Sequence, residues 1–334
     1  TIGEGAFYGC LRIKSLDLSA SSLTSIGAYA FKDCKKVQTI TFGTGLTMIG
    51  EGAFYNVASL TTIDLSKATR IETFAFSGST TQDFWMYEDQ LMYAYDMRVM
   101  NGELTAIDFM YSSFAPSITS INLTSATEIG ASAFANNTKL TNVVLGENIG
   151  EIVVNEEGEE KIIPNKLAYA MFADCELLEQ ITLPETIKAL GGYAFYRTAM
   201  NSINLENVDE IGMSAFLSTA LTSVTLKKDV VLGGAAFAYC EKLAEVNGLE
   251  GVNVIGELAF MGTALTEANL ASVKEIGNFA FAMTPMTKVE LGDKLTKLGE
   301  NPFYATEIAT YGKTQDIVFN GETIGTEINE NYEA

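Results

Sequence analysis

Histidine is absent from the chain. Its absence removes the commonest general base, the Ser-His-Asp and Cys-His nucleophile pairs, and any zinc site built on imidazole. Cysteine is scarce, with only Cys10, Cys34, Cys175 and Cys240. Cations are few: 21 basic residues stand against 42 acidic ones, a net charge of −21. A surface of that sign repels phosphate backbones and anionic lipid, so nucleic-acid and membrane-surface partners are disfavoured. No run of about 20 apolar residues occurs, so no transmembrane helix is expected. The phosphate-cradling and dinucleotide-binding glycine motifs are missing too. With 42 carboxylates, pairs arise by chance and point to no glycosidase centre. These gaps argue against an enzyme and imply no cofactor and no metal.

What is present is repetition. Hydrophobic residues make up 47% of the chain and charged ones 19%, which excludes a disordered polymer. A length of 334 residues exceeds a typical single core but suits an elongated array. The string Ile26-Gly27-x-x-Ala30-Phe31 returns at Ile49-Gly50-x-x-Ala53-Phe54, and again ending at Phe134, Phe216, Phe260 and Phe281. Looser copies end at Phe76, Phe172, Phe195, Phe237 and Phe303, and Phe114 sits in a degenerate one. Most spacings between these rings lie between 20 and 24 residues, and two are 38. Each long interval reads as one repeat plus an insertion of about 16 residues.

After each ring comes L-x-x-I-x-L, as in Leu221-x-x-Val224-x-Leu226. Its last two apolar positions alternate with polar ones, the mark of a short strand with one face inward. Strands of successive repeats are expected to stack in parallel at about 4.8 Å. The stretch from Ile-Gly to Phe reads as a turn followed by a short helical or irregular segment. Its Gly fits a position of positive φ or of close backbone approach. One repeat cannot bury such faces alone, and stacked neighbours can.

The unit I-G-x-x-A-F-x-x-C-x-x-L-x-x-I-x-L resembles the BspA-like leucine-rich repeats. Residues 26–42 carry it clearly, through Ile26, Gly27, Ala30, Phe31, Cys34, Val37, Ile40 and Phe42. The family also carries interposed hairpins, and residues 84–109 look like a degraded copy, with Leu91-Met92-Tyr93 and Leu104-Thr105-Ala106-Ile107. That copy lacks the family's opening Asp-Gly and closing Tyr-Pro. The resemblance implies an α/β or mainly-β solenoid, a right-handed leucine-rich-repeat superhelix of parallel stacked strands with two hairpin insertions. It further implies a bacterial secreted or cell-surface protein linked to attachment to host matrix or to other cells.

The expected organisation is a solenoid over 1–310 of about 12–13 repeats, with insertions near 77–113 and 150–163. Residues 311–334 are read as a hairpin cap around Asn320-Gly321 and a tail. The chain opens inside a repeat, at Thr1-Ile2-Gly3. A native N-terminal segment, including any signal segment, is therefore expected to be missing. The first insertion holds Phe84, Trp85, Tyr87, Tyr93 and Tyr95, read either as flank packing or as an exposed adhesive patch. The second ends in Asn155-Glu156-Glu157-Gly158-Glu159-Glu160, read as a solvated acidic turn because the spaced aspartates of a calcium loop are missing. The four cysteines each follow a repeat Phe by three residues and are read as buried thiols bonding the turn.

Two columns flank the central Ile of L-x-x-I-x-L and point away from the core. They hold mostly short hydrogen-bonding residues, among them Ser202, Asn204, Ser223, Thr225, Asn247 and Asn269. They form either a solvated ladder or a binding strip for an extended peptide or glycan. The strip lacks aromatics, which weakens the glycan version. With Trp85 and Tyr93 these six are the candidate ligand-binding residues. The functional expectation is a non-catalytic extracellular binding or adhesion protein engaging protein or glycan on host or neighbouring cells. The alternative is a structural spacer within a larger surface protein.

Overall fold

The computed structural model describes residues 1–77, 117–292 and 294–310, and the strand residues 318–319 and 322–323. The chain is a solenoid whose coils each present three sides. Two sides are parallel strand ladders, and the third is a stack of turns centred on the repeat Phe.

The first ladder is the one the L-x-x-I-x-L alternation predicts. Ser15–Leu18 pairs with Thr39–Phe42, Ser120–Leu123 with Asn142–Leu145, Ser223–Thr225 with Glu245–Asn247, and Glu267–Leu270 with Lys288–Leu291. Burial alternates along them, exposed–buried–exposed–buried over Ser120–Leu123 and Glu267–Leu270.

The second ladder replaces the expected turn. The residue before each Ile, and the Ile itself, form a two-residue strand. Ser25–Ile26, Met48–Ile49, Arg70–Ile71, Glu128–Gly130 and Gly150–Val154 lie side by side, all parallel. After a break the ladder resumes from Lys166–Leu167 to Val231–Leu232. Val254–Ile255, Glu275–Ile276 and Lys297–Leu298 continue it. The repeat Gly lies here because the preceding coil runs against it. A Cβ on Gly50 would stand 2.7 Å from the Ala28 nitrogen, and one on Gly212 would stand 2.5 Å from the Gly192 nitrogen. Close approach, rather than positive φ, explains this column.

Among the described residues the third side is turn, with no helix in it. Its alternate N–H groups bond within the coil and across to the next. Ala30 N–H donates to the Gly27 carbonyl at 3.3 Å, whereas Phe31 N–H donates to the Ala53 carbonyl at 2.8 Å. This alternation needs left-handed backbone two residues either side of the ring. Tyr29 and Asp33 flank Phe31 with φ of 53° and 60°, and Ser214 and Ser218 flank Phe216 with 53° and 58°. Such positions cost about 1–2 kcal/mol each for an L-residue. The cross-coil bonds hold them.

Inside, the rings form one stack. Phe7, Phe31, Phe54, Phe76, Phe134, Phe172, Phe195, Phe216, Phe237, Phe260, Phe281 and Phe303 meet in sequence, centroids 4.9–6.0 Å apart and planes within 18°. Phe76 meets Phe134 directly, at 5.4 Å. Arg70 and Ile71 likewise pair directly with Glu128 and Ile129. Phe114 lies outside the described residues, and the rings on either side of it touch each other. Among the described residues, Phe134 therefore follows Phe76 directly in the stack. The strand Ser120–Leu123 belongs to the Phe76 coil, with Ile118 buried as its leading apolar residue.

The second insertion is a hairpin, Gly150–Val154 antiparallel to Glu160–Pro164. It places Glu151 opposite Ile129, in the column that elsewhere holds Ile or Leu. Glu151 is 5% exposed. Its carboxylate accepts the Tyr169 N–H at 2.7 Å and pairs with the Lys166 ammonium at 3.2 Å, which satisfies a charge in an otherwise apolar row. Arg70 ties the hairpin to the ladder by pairing with Glu72, Glu128 and Glu160. Val318–Phe319 pairs antiparallel with Glu322–Thr323, and Asn320 and Gly321 between them lie outside the described residues. Among the described residues no helix is long and apolar enough to cross a membrane.

Candidate functional site

On the first ladder every second side chain must point outward, since its neighbours fill the core. Ser202, Asn204, Ser223, Thr225, Asn247 and Asn269 are all exposed there. Parallel register sets Ser223 beside Glu245 and Thr225 beside Asn247, and Gln180 bridges to Ser202. The face is grooved. A cavity of about 760 Å³ is lined by Ser202, Asn204, Ser223 and Thr225 together with Thr141, Asn142, Gln180, Thr182 and Glu206. Further along, a second cavity of about 320 Å³ is lined by Glu245, Glu250, Glu267, Asn269, Lys288 and Glu290. The structure therefore brings four of the strip's candidates to one groove. Asn269 lines the second cavity and Asn247 lines neither. Trp85 and Tyr93 lie outside the described residues.

The strip also has a local role that its composition hides. Asn204 accepts the Glu206 N–H at 3.0 Å, Asn269 the Ala271 N–H at 3.1 Å, and Asn122 the Thr124 N–H at 3.0 Å. Asp17 and Asp64 do the same with Ser19 and Ser66. Each side-chain oxygen ends its strand in an Asx-turn. For Asp17 and Asp64, hydrogen bonds from the serine hydroxyl and N–H hold the carboxyl below the usual range. In Asn204 and Asn269 the turn uses the side-chain oxygen. Neighbour bonding accounts for part of the strip, as when Asn142 donates to Ser120 at 2.9 Å and Asn247 to Glu245 at 2.9 Å.

The thiols sit elsewhere, and Cys10 is half-buried rather than buried as expected. Cys34, Cys175 and Cys240 are fully buried. Each donates to the Phe carbonyl of the preceding coil, at 2.9, 3.4 and 3.0 Å. Burial raises all three pKa values, that of Cys240 to about 11, so the nucleophilic thiolate is disfavoured. Asn137 fills the same position and donates to the Phe76 and Phe134 carbonyls at 3.0 and 2.8 Å. Thr198, Thr263, Thr284 and Thr306 occupy it as well and donate to the Phe carbonyl of their own coil. Thr in this column escaped the sequence reading, although its spacing from Phe is the same.

Parallel ladders, a ring spine and a polar outward column define a leucine-rich-repeat solenoid. The sequence matches the BspA type leucine rich repeat region (6 copies) over residues 1–113, 107–155, 162–265 and 209–328. The chain belongs to this family. Among solved structures it is similar to a leucine-rich repeat protein from Bacteroides ovatus ATCC 8483. That match has 23% identity and TM-score 0.55, covering 91% of this chain and 80% of that one. A leucine-rich repeat protein from Eubacterium ventriosum ATCC 27560 is similar at 19% identity and TM-score 0.53, covering 93% and 81%. At these identities the likeness is one of fold. No curated protein matches the chain.

Proposed function

We propose that the chain is a non-catalytic binding protein, secreted or displayed at the cell surface, that engages a protein or glycan on host or neighbouring cells through its first strand ladder. The observation that carries this reading is the groove of about 760 Å³ lined by exposed Ser202, Asn204, Ser223 and Thr225 on adjacent strands. Their hydroxyl and amide groups both donate and accept without carrying charge, which suits a peptide backbone or a row of sugar hydroxyls. The groove offers no aromatic platform, which favours the polypeptide. The lack of histidine and the burial of Cys34, Cys175 and Cys240 support a binding role over a catalytic one.

The test is a display of extracellular-matrix proteins and glycans probed with the folded chain. Saturable binding to at least one of them is expected. Silence across the whole display, from protein shown to be folded, contradicts the reading and favours a spacer role.

A further inference from the structure

The two cavities lie on one face, in consecutive stretches of the same ladder, and they differ in charge. The larger is lined by uncharged hydrogen-bonding groups, by apolar residues such as Val143 and Ile203, and by one carboxylate, Glu206. The smaller brings together Glu245, Glu250, Glu267 and Glu290 around the single cation Lys288. Lys288 is paired with Glu290 at 2.7 Å, and Asn247 donates to Glu245. Glu250 and Glu267 have no intramolecular cation among the described residues. Glu267 stands in register with Lys288, and both are exposed on the strand face.

We infer that the occupant of this face is an extended polypeptide that runs across the strands along the solenoid axis. It carries a lysine or arginine at the end lying over Glu245, Glu250 and Glu267. The inference rests on the binding role proposed above and specifies its ligand. Geometry supports the direction. Seven strands separate Asn142 from Lys288 inclusive, a span of about 29 Å at about 4.8 Å per strand. An extended chain at about 3.3 Å per residue crosses it in about nine residues, and every third residue falls on every second rung. Charge supports the end residue. The neutral groove discriminates weakly among backbones, whereas a cation entering the carboxylate pocket gains attraction and an anion is repelled. A guanidinium also supplies the several donors that neighbouring carboxylates accept. The chain's net charge of −21 acts in the same sense at longer range.

The experiment uses an array of nonapeptides built from Ser, Thr, Asn, Gln and Gly. One series walks a single Arg through the nine positions, a matched series walks Glu, and an uncharged parent serves as reference. Each is titrated against the whole chain by fluorescence anisotropy. Arg at one terminus is expected to tighten binding at least tenfold over the parent, with Glu at that position weakening it. The double variant Glu245→Gln/Glu267→Gln should lose the Arg increment and keep parent binding. Ser223→Trp/Thr225→Trp should lose binding of every peptide. All four positions are exposed, and thermal midpoints report that the variants fold. If peptides bind but the position of Arg makes no difference, or the glutamine variant keeps the increment, this inference is overturned and the binding role stands. If no peptide binds the folded chain, the inference and the polypeptide reading of the groove fall together.

Discussion

Phe216 is fully buried, with Phe195 at 5.4 Å on one side and Phe237 at 5.3 Å on the other. Removing the ring leaves a gap that two stacked neighbours cannot close without breaking their own cross-coil bonds. Phe216→Ala is expected to cost about 3–5 kcal/mol, read as a fall in the urea midpoint. An unchanged midpoint would place the ring outside the core. Asp174 makes a second prediction. Burial raises its carboxyl to about 6 from 3.8, against the opposing pull of Arg197 at 3.4 Å. A folded-state pKa above the unfolded one means that the stabilising contribution is complete below pH about 4 and is lost as pH rises through about 6. Wild type should therefore lose about 2–3 kcal/mol relative to Asp174→Asn between pH 4 and pH 7. Urea titrations at both pH values measure this. A pH-independent difference between the two proteins refutes it.

The elements divide by how plainly their side chains announce them. Ile-Gly-x-x-Ala-Phe and L-x-x-I-x-L were legible because each position has one steric demand that few residues meet. The second strand ladder was not, because its strands are only two residues long and show no alternation. The left-handed positions were hidden too, since Tyr29, Ser214, Ala235 and Leu258 are ordinary residues held there by cross-coil bonds rather than by preference. A smaller apolar layer, with Tyr193, Tyr196, Leu217 and Met261 at its centre, packs apart from the ring spine. Its positions vary among Ala, Tyr, Leu and Met, so no column stood out. Direct contact of Phe76 with Phe134 yields a prediction at this scale. Replacing residues 78–116 by the three residues Asn-Val-Ala, the link that follows Tyr55 in the preceding coil, should leave one cooperative unfolding transition with little change in midpoint. A split or lost transition would show that these residues are needed for the stack.

As a whole, the molecule joins a spine of rings to a polar face, part uncharged and part acidic, under a net charge of −21. The spine makes the face rigid, since every outward column inherits its spacing from ring stacking and ladder register. A pre-ordered surface loses little conformational entropy on binding, so modest hydrogen-bonding groups suffice. The outward placement of Ser202, Asn204, Ser223, Thr225, Asn247 and Asn269 was legible from alternation alone. The groove they line was not, because a cavity depends on how successive strands are offset. The carboxylate pocket escaped notice because Glu250 comes from outside the repeat motif, in the short 3-10 turn Leu249–Gly251. The most direct measurement compares three proteins on the same matrix and glycan display: wild type, Ser223→Trp/Thr225→Trp on the first ladder, and Val231→Trp at an equally open position of the second. Binding should fall at least tenfold in the first-ladder variant and persist in the second. Binding that survives the former and is lost in the latter would contradict the account.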